Sequence, residues 1–163
     1  MIADAVTIRP ALRSDLAAIV RLYASDELHG ASEPAHLEVA EGHVAAFQEI
    51  AGDPDNCVYV AEQSGVVLGT CQLTFIRQLS YGGCLVAQVE SVYVDAAHRG
   101  RGIGERLIEN AIRRARERGA LRIQLTTNLK RVAAHRFYER LGFRATHHGM
   151  KLYLDARAPT SRA

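Results

Sequence analysis

Val92-Tyr-Val-Asp-Ala-Ala-His-Arg-Gly-Arg-Gly-Ile-Gly104 reads as the end of a strand, a polar turn, and a run of alternating glycines that opens a helix. Just downstream, Ile103, Leu107, Ile108, Ala111, Ile112 and Ala115 recur on one helical face, and Gly119 stands where a helix-ending glycine belongs. A helix N-terminus carries unpaired backbone amides and partial positive charge, and glycines let an anion reach that backbone without Cβ obstruction. The junction therefore suits a phosphate, and Arg99 and Arg101 add charge to its rim. Gly100-x-Gly102-x-Gly104 is not G-x-G-x-x-G, and no acidic residue closes the next strand, which argues against a dinucleotide fold. Glu105-Arg106 after Gly104 leaves no lysine or magnesium-binding hydroxyl for a P-loop. A tight turn alone accounts for one of these glycines rather than for three beside two arginines.

Outward from this junction the text alternates between two periods. Upstream, Val6–Arg9 predicts a short strand. Leu16, Ile19, Val20 and Tyr23 predict a helix over roughly 13 to 25, and a weaker helical stretch runs from His36 to Ile50. Cys57–Ala61, Val66–Ile76 and Leu85–Val94 then read as three consecutive antiparallel strands, with a turn at Gln63-Ser-Gly65. Downstream, Leu121–Thr126 predicts a strand, and Ala134, Phe137, Tyr138 and Leu141 a fourth helix closed by Gly142. Final strands are expected from Phe143 onward and at Met150–Leu154. The order β-α-α-β-β-β-α-β-α-β-β implies an α/β (α+β) fold with a mixed, mostly antiparallel central sheet flanked by about four helices.

Composition sets the frame. With 163 residues, 48% hydrophobic, 23% charged and 4 prolines, the chain reads as one domain over 1–163, with a frayed tail at 155–163. A chain of this size buries roughly 70% of its unfolded surface, enough for a core without staples. Lys+Arg 20 against Asp+Glu 18 leaves +2, too mild to single out nucleic acid or an acidic membrane as partner. The arginine-rich Arg113–Arg118 reads as a solvated helix face. No apolar run approaches the ~20 residues of a membrane span, and no secretory signal is legible, so a cytoplasmic location is the expectation. The cysteines Cys57, Cys71 and Cys84 read as small hydrophobes in strands, and the scattered histidines give no metal-ligand spacing.

Arg99-x-x-Gly102-x-Gly104 after Val92-Tyr-Val94 resembles the acetyl-CoA pyrophosphate signature of the GNAT superfamily of N-acetyltransferases. Asn128 and Ala134-His-Arg-Phe-Tyr-Glu-Arg-Leu-Gly-Phe143 are similar to that family's Asn and Phe-Tyr-Glu-x-x-Gly-Phe block, although Asn128 stands ten residues before Tyr138, a longer gap than in many members. The Thr127-Asn-x-Lys-Arg-x-x-Ala-His-Arg-Phe-Tyr138 stretch resembles aminoalkylphosphonate N-acetyltransferases. The resemblance implies acetyl-CoA as cosubstrate, held by Val92, Tyr93, Val94, Arg99, Gly100, Arg101, Gly102, Ile103, Gly104 and Asn128, with no metal. It implies direct acetyl transfer to a primary amine of a small molecule. The alternatives are a protein lysine or N-terminal amine, or a non-catalytic acyl-CoA-binding domain.

An ammonium group must lose its proton before it attacks a thioester, and the departing thiolate must gain one. Glu90 is the candidate base, placed by strand alternation on one face with Val92 and Val94; a solvent-facing glutamate is the competing reading. Tyr138 is the acid that the resemblance implies, on a helical stripe that equally suits a packed core ring. Asn128 is either a helix cap or a cofactor contact. Ser25–Gly30, with Asp26 and Glu27, and Phe75–Tyr81, with Arg77, are expected to shape the acceptor site. The final strands at Met150–Leu154 are compatible with a homodimer.

Overall fold

The computed structural model describes residues 5–25, 38–152 and 154. Its five strands are β1 (Thr7–Pro10), β2 (Asn56–Gln63), β3 (Val66–Arg77), β4 (Leu85–Val94) and β5 (Arg122–Leu125). The four helices are α1 (Leu16–Ala24), α2 (Glu41–Gly52), α3 (Ile103–Glu117) and α4 (Val132–Arg140). Spatial order follows chain order, β1-β2-β3-β4-β5, and every pairing is antiparallel except β4 with β5. The mixed, mostly antiparallel sheet with four helices thus agrees with the sequence pattern through α4.

Each turn has a local cause. Ser64 and Gly65 both take left-handed φ, 52° and 79°, the geometry that lets a two-residue hairpin follow the strand twist. Between β3 and β4, Tyr81 and Gly82 are left-handed and form a tight turn at Ser80–Gly83. Parallel strands need a crossover, and α3 supplies it between β4 and β5.

Two apolar layers sandwich the sheet. On one face Tyr59, Ala61, Cys71, Leu73, Ala87 and Val89 pack against Leu107, Ile108, Ala111 and Ala115 of α3, with Phe137, Tyr138 and Phe143 joining from the α4 end. On the other face Val58 and Val60 meet Ile19 of α1, with Ile50 of α2 alongside. Helix α2 buries no residue, in keeping with its weak apolar period. It begins at Glu41; His36 and residues 26–30 of the expected acceptor loop lie outside the described residues.

The final strands expected from Phe143 onward and at Met150–Leu154 do not appear among the described residues. Phe143 packs into the core, but Met150, Leu152 and Leu154 are 96%, 85% and 92% exposed. Alternation specifies which side chains share a face; a strand also needs a ladder partner, and the described residues of the segment make no pairing with β5.

Arg9 pins the start of the fold. It bridges Asp15 at 2.7 Å and Glu62 on β2 at 2.7 Å, while Asp15 also accepts from the Leu12 amide at 2.7 Å. Asp15 is 8% exposed, and its hydrogen bond to Arg9 holds the carboxyl below the usual carboxylate range against the opposing effect of burial. A depressed folded-state pKa contributes stability above the unfolded value and loses it as pH falls through the folded one. Asp15→Asn should therefore cost roughly 2 kcal/mol at pH 7, and the gap to wild type should narrow as pH drops below about 4. Urea unfolding at pH 7 and pH 3 measures both; a gap that stays constant would remove the ion pair from the account.

Candidate active site

Strand β4 carries one residue too many for its partner. Gln72 faces Glu90 and Thr70 faces Tyr93, so Cys71 alone opposes Ser91 and Val92. Ser91 takes φ 51°, and this β-bulge reverses the alternation of side chains. Val92 and Val94 point with Val89 into the α3 layer. Glu90 shares the opposite face with Tyr93, whose ring lies 4.9 Å from that of Tyr23 on α1. Strand alternation predicts Glu90 beside Val92 and Val94; the bulge corrects this, placing the carboxylate on the α1 side of the sheet, exposed to solvent.

The ladder between β4 and β5 stops early. Val86 to Val89 pair with Arg122 to Leu125, whereas β4 runs on to Val94. From Glu90 to Val94 the β5-side edge of β4 therefore has no strand partner among the described residues. Tyr138 stands on the α3 side of this region, with its ring 5.0 Å from Phe137 and 5.8 Å from Phe143. Burial, and behind it the Cys71 thiol that faces the bulge, pushes its phenol up to about 12. Tyr138 is both a core ring and a protonated donor at neutral pH. Carboxylate and phenol thus approach the same stretch of β4 from opposite faces.

The glycine loop sits at the far end of that stretch. Gly100 and Gly102 have φ of 75° and 78°, and Gly102 is the residue preceding α3. Two of the three glycines consequently have a conformational reason for being there, more than a single tight turn requires. A Cβ on Gly104 would make ordinary contact with Phe137 at 3.4 Å and Val94 at 3.6 Å, so packing does not demand glycine there. A Cβ on Gly100 or Gly102 would meet open space, leaving the approach to the helix amides clear. The first intrahelical bond runs from the Arg106 amide to the Gly102 carbonyl, so the amides of Ile103, Gly104 and Glu105 have no helical acceptor. Arg99 donates through Nε to the Val94 carbonyl at 3.2 Å, which fastens its guanidinium beside the loop. Arg101 is exposed on the same rim.

Asn128 is not the cap of α4. The flanking residue is Arg131, and the Asn128 side chain accepts from the Lys130 amide at 2.9 Å while its carbonyl accepts from the Arg131 amide. It builds a turn instead, with the His135 ring 3.1 Å from its carbonyl. The arginine-rich end of α3 is tied inward: Arg113 and Arg114 pair with Glu117, and Arg118 pairs with Asp55 and lies over Phe75. Among the described residues no group of three or more His, Cys, Asp or Glu side chains is placed to hold a metal ion, and no helix is long and apolar enough to cross a membrane.

Motif spacing does not point to Gly69. An added Cβ would lie 2.9 Å from the Tyr93 carbonyl and 3.2 Å from Leu107, so glycine sets how closely β3, the bulge and α3 pack. The available signal is a glycine in the middle of a strand, which marks a bulge or a close backbone approach.

Sheet, bulge and amide-rich loop meet at one end of β4. A family model described as "Acetyltransferase (GNAT) family" matches residues 16–143, and the chain belongs to that family. It is 33% identical over 97 residues to a glucosamine 6-phosphate N-acetyltransferase of Trypanosoma brucei brucei, covering 60% of this chain and 64% of that protein. It is 34% identical over 95 residues to an aminoalkylphosphonate N-acetyltransferase of Salmonella typhimurium, covering 58% and 61%. The chain thus spans somewhat less than two thirds of each of these relatives. A crystal structure titled as a transcriptional regulator from Bacillus halodurans superposes with a TM-score of 0.89 at 42% identity, covering 92% of this chain and all of that one.

Gly102→Asn separates conformation from access. Asparagine tolerates left-handed φ, whereas most residues pay about 1–2 kcal/mol there. The variant should melt within a few degrees of wild type yet bind coenzyme A at least ~10-fold more weakly by calorimetry. Unchanged affinity would remove the loop from the binding site.

Proposed function

We propose that this protein transfers the acetyl group of acetyl-CoA directly to a primary amine of a small molecule. The observation that carries the proposal is the placement of Glu90 and Tyr138 on opposite faces of the unpaired stretch of β4. The diphosphate would lie against the amides of Ile103, Gly104 and Glu105, with Arg99 and Arg101 on the rim and the Asn128 turn alongside. The backbone of Val92, Tyr93 and Val94 would line the thioester arm. An acceptor entering from the α1 side meets Glu90, which takes the ammonium proton either directly or through a water. The neutral nitrogen attacks the thioester carbonyl, the new C–N bond forms, the C–S bond breaks, Tyr138 gives its proton to the departing sulfur, and the second proton shed by the nitrogen passes through water to restore the phenol. The matches to glucosamine 6-phosphate and aminoalkylphosphonate N-acetyltransferases support a small amine as acceptor.

The decisive experiment is a screen of primary amines with acetyl-CoA, reading thiol release and product mass; no turnover with any amine, alongside intact coenzyme A binding, would favour a binding domain over an enzyme. Tyr138→Phe should lower kcat roughly 10²-fold or more and leave coenzyme A affinity within about twofold; an equal fall in both would make Tyr138 structural. Because burial keeps the phenol protonated to about 12, kcat should show no alkaline limb below pH 10. A limb near 10 would indicate an ordinary exposed tyrosine.

A further inference from the structure

Hydrogen bonds across β4 and β5 on the α1 side of the sheet take their direction from one end. Arg122 on β5 donates through Nε to Gln124 Oε1 at 3.0 Å and through Nη2 to Gln78 Oε1 at 3.2 Å. A guanidinium only donates, so the Gln124 carboxamide turns its oxygen to Arg122 and its nitrogen to β4. That nitrogen donates to Gln88 Oε1 at 2.9 Å. Gln88 is fixed in turn, with its oxygen on Gln124 and its Nε2 turned away. This nitrogen has no acceptor among the described residues and is open to solvent, not buried. The series Arg122, Gln124, Gln88 therefore ends in an outward-facing amide donor.

The donor stands next to the candidate base. Ala87 and Val89 point into the α3 layer, so Gln88 points to the α1 side, and Glu90 shares that side because the bulge at Ser91 comes after it. Residues two apart on one strand face are about 7 Å from each other, a span that one small molecule bridges. Pairing with β5 ends at Val89, so Gln88 lies at the end of the closed ladder and Glu90 just beyond it. Gln72 faces Glu90 across β3, but its Nε2 donates to Asn56 Oδ1 at 3.0 Å. An acceptor whose amine meets Glu90 thus brings an atom a few bonds away to Gln88 Nε2, where an oxygen is wanted. The carboxamide is uncharged and a carboxylate is near, which disfavours a second anion and favours an ether, hydroxyl or carbonyl oxygen. Were the amide reversed, its oxygen would select a donor instead; Arg122 decides between the two.

We propose that Gln88 is a specificity residue for the acceptor, donating from Nε2 to an uncharged oxygen about three bonds from the reacting amine, and that Arg122 and Gln124 position it. The inference rests on the reading of Glu90 as the base that meets the acceptor. The probes are 2-methoxyethylamine and butylamine, alike in length and differing by an ether oxygen in place of one methylene; that oxygen only accepts. Each is measured at saturating acetyl-CoA as a competitor of the best amine from the screen. The ratio of the two inhibition constants is compared between variants, where the different basicity of the amines cancels. Gln88→Glu keeps the size of the side chain and an acceptor for Gln124 but has no donor, and should shift the ratio at least ~5-fold against the ether. Gln124→Glu retains Gln88 but, unable to donate, draws the Gln88 nitrogen toward itself, and should shift the ratio the same way at least ~3-fold. Both variants add one charge near two equally charged amines, so the ratio reports the donor alone. Melting curves check that each variant is folded, and either one suffices for the comparison. A ratio within about twofold of wild type in a folded variant overturns the inference, as does failure of both amines to compete at about 50 mM. A screen that yields no acetylated amine overturns the underlying reading instead.

Discussion

One extra residue in β4 governs the arrangement of the site. A regular antiparallel ladder would put Glu90, Val92 and Val94 on one face, inside the α3 layer. The bulge at Ser91 rotates the strand by half a period, so the valines stay in the α3 layer while Glu90 and Tyr93 turn toward α1. The same distortion coincides with the point where β4 loses contact with β5. Gly69 permits the close approach on the β3 side, since any side chain there would strike the Tyr93 carbonyl.

Beyond the bulge, α3 presents amides that its own geometry leaves unsatisfied, and the proposed cosubstrate site rests on them. The left-handed conformations at Gly100 and Gly102 turn the chain into that helix end. The apolar stripe of α3 then locks the orientation by packing Leu107, Ile108, Ala111 and Ala115 onto β2, β3 and β4. Backbone conformation, core burial and binding geometry are thereby coupled within about fifteen residues of chain.

Polar groups that are satisfied and polar groups that are not tell different stories. The arginines at the end of α3 resemble a binding patch in sequence, yet Arg113, Arg114 and Arg118 are occupied by Glu117 and Asp55. Arg9 is likewise committed to Asp15 and Glu62 and serves the fold. Against that background the amides of Ile103, Gly104 and Glu105, which have no helical acceptor, stand out.

The positions of β1 to β5 and α1 to α4 were legible in the sequence because they follow from local periodicity: Leu16, Ile19, Val20 and Tyr23 have one environment as a helix, and Leu85 to Val94 one as a strand. The glycine loop was legible too, because left-handed backbone and open approach both demand glycine at fixed spacing. The face of Glu90 was not, since alternation is a property of an unbroken ladder and the bulge is set by register against β3. Nor was the role of Asn128, which depends on where α4 starts, or the exposure of Met150, Leu152 and Leu154, because an alternating apolar pattern names a face and is silent about its partner. Period and backbone conformation reside in neighbouring residues; pairing, facing and the point where β4 and β5 part exist only when distant segments meet.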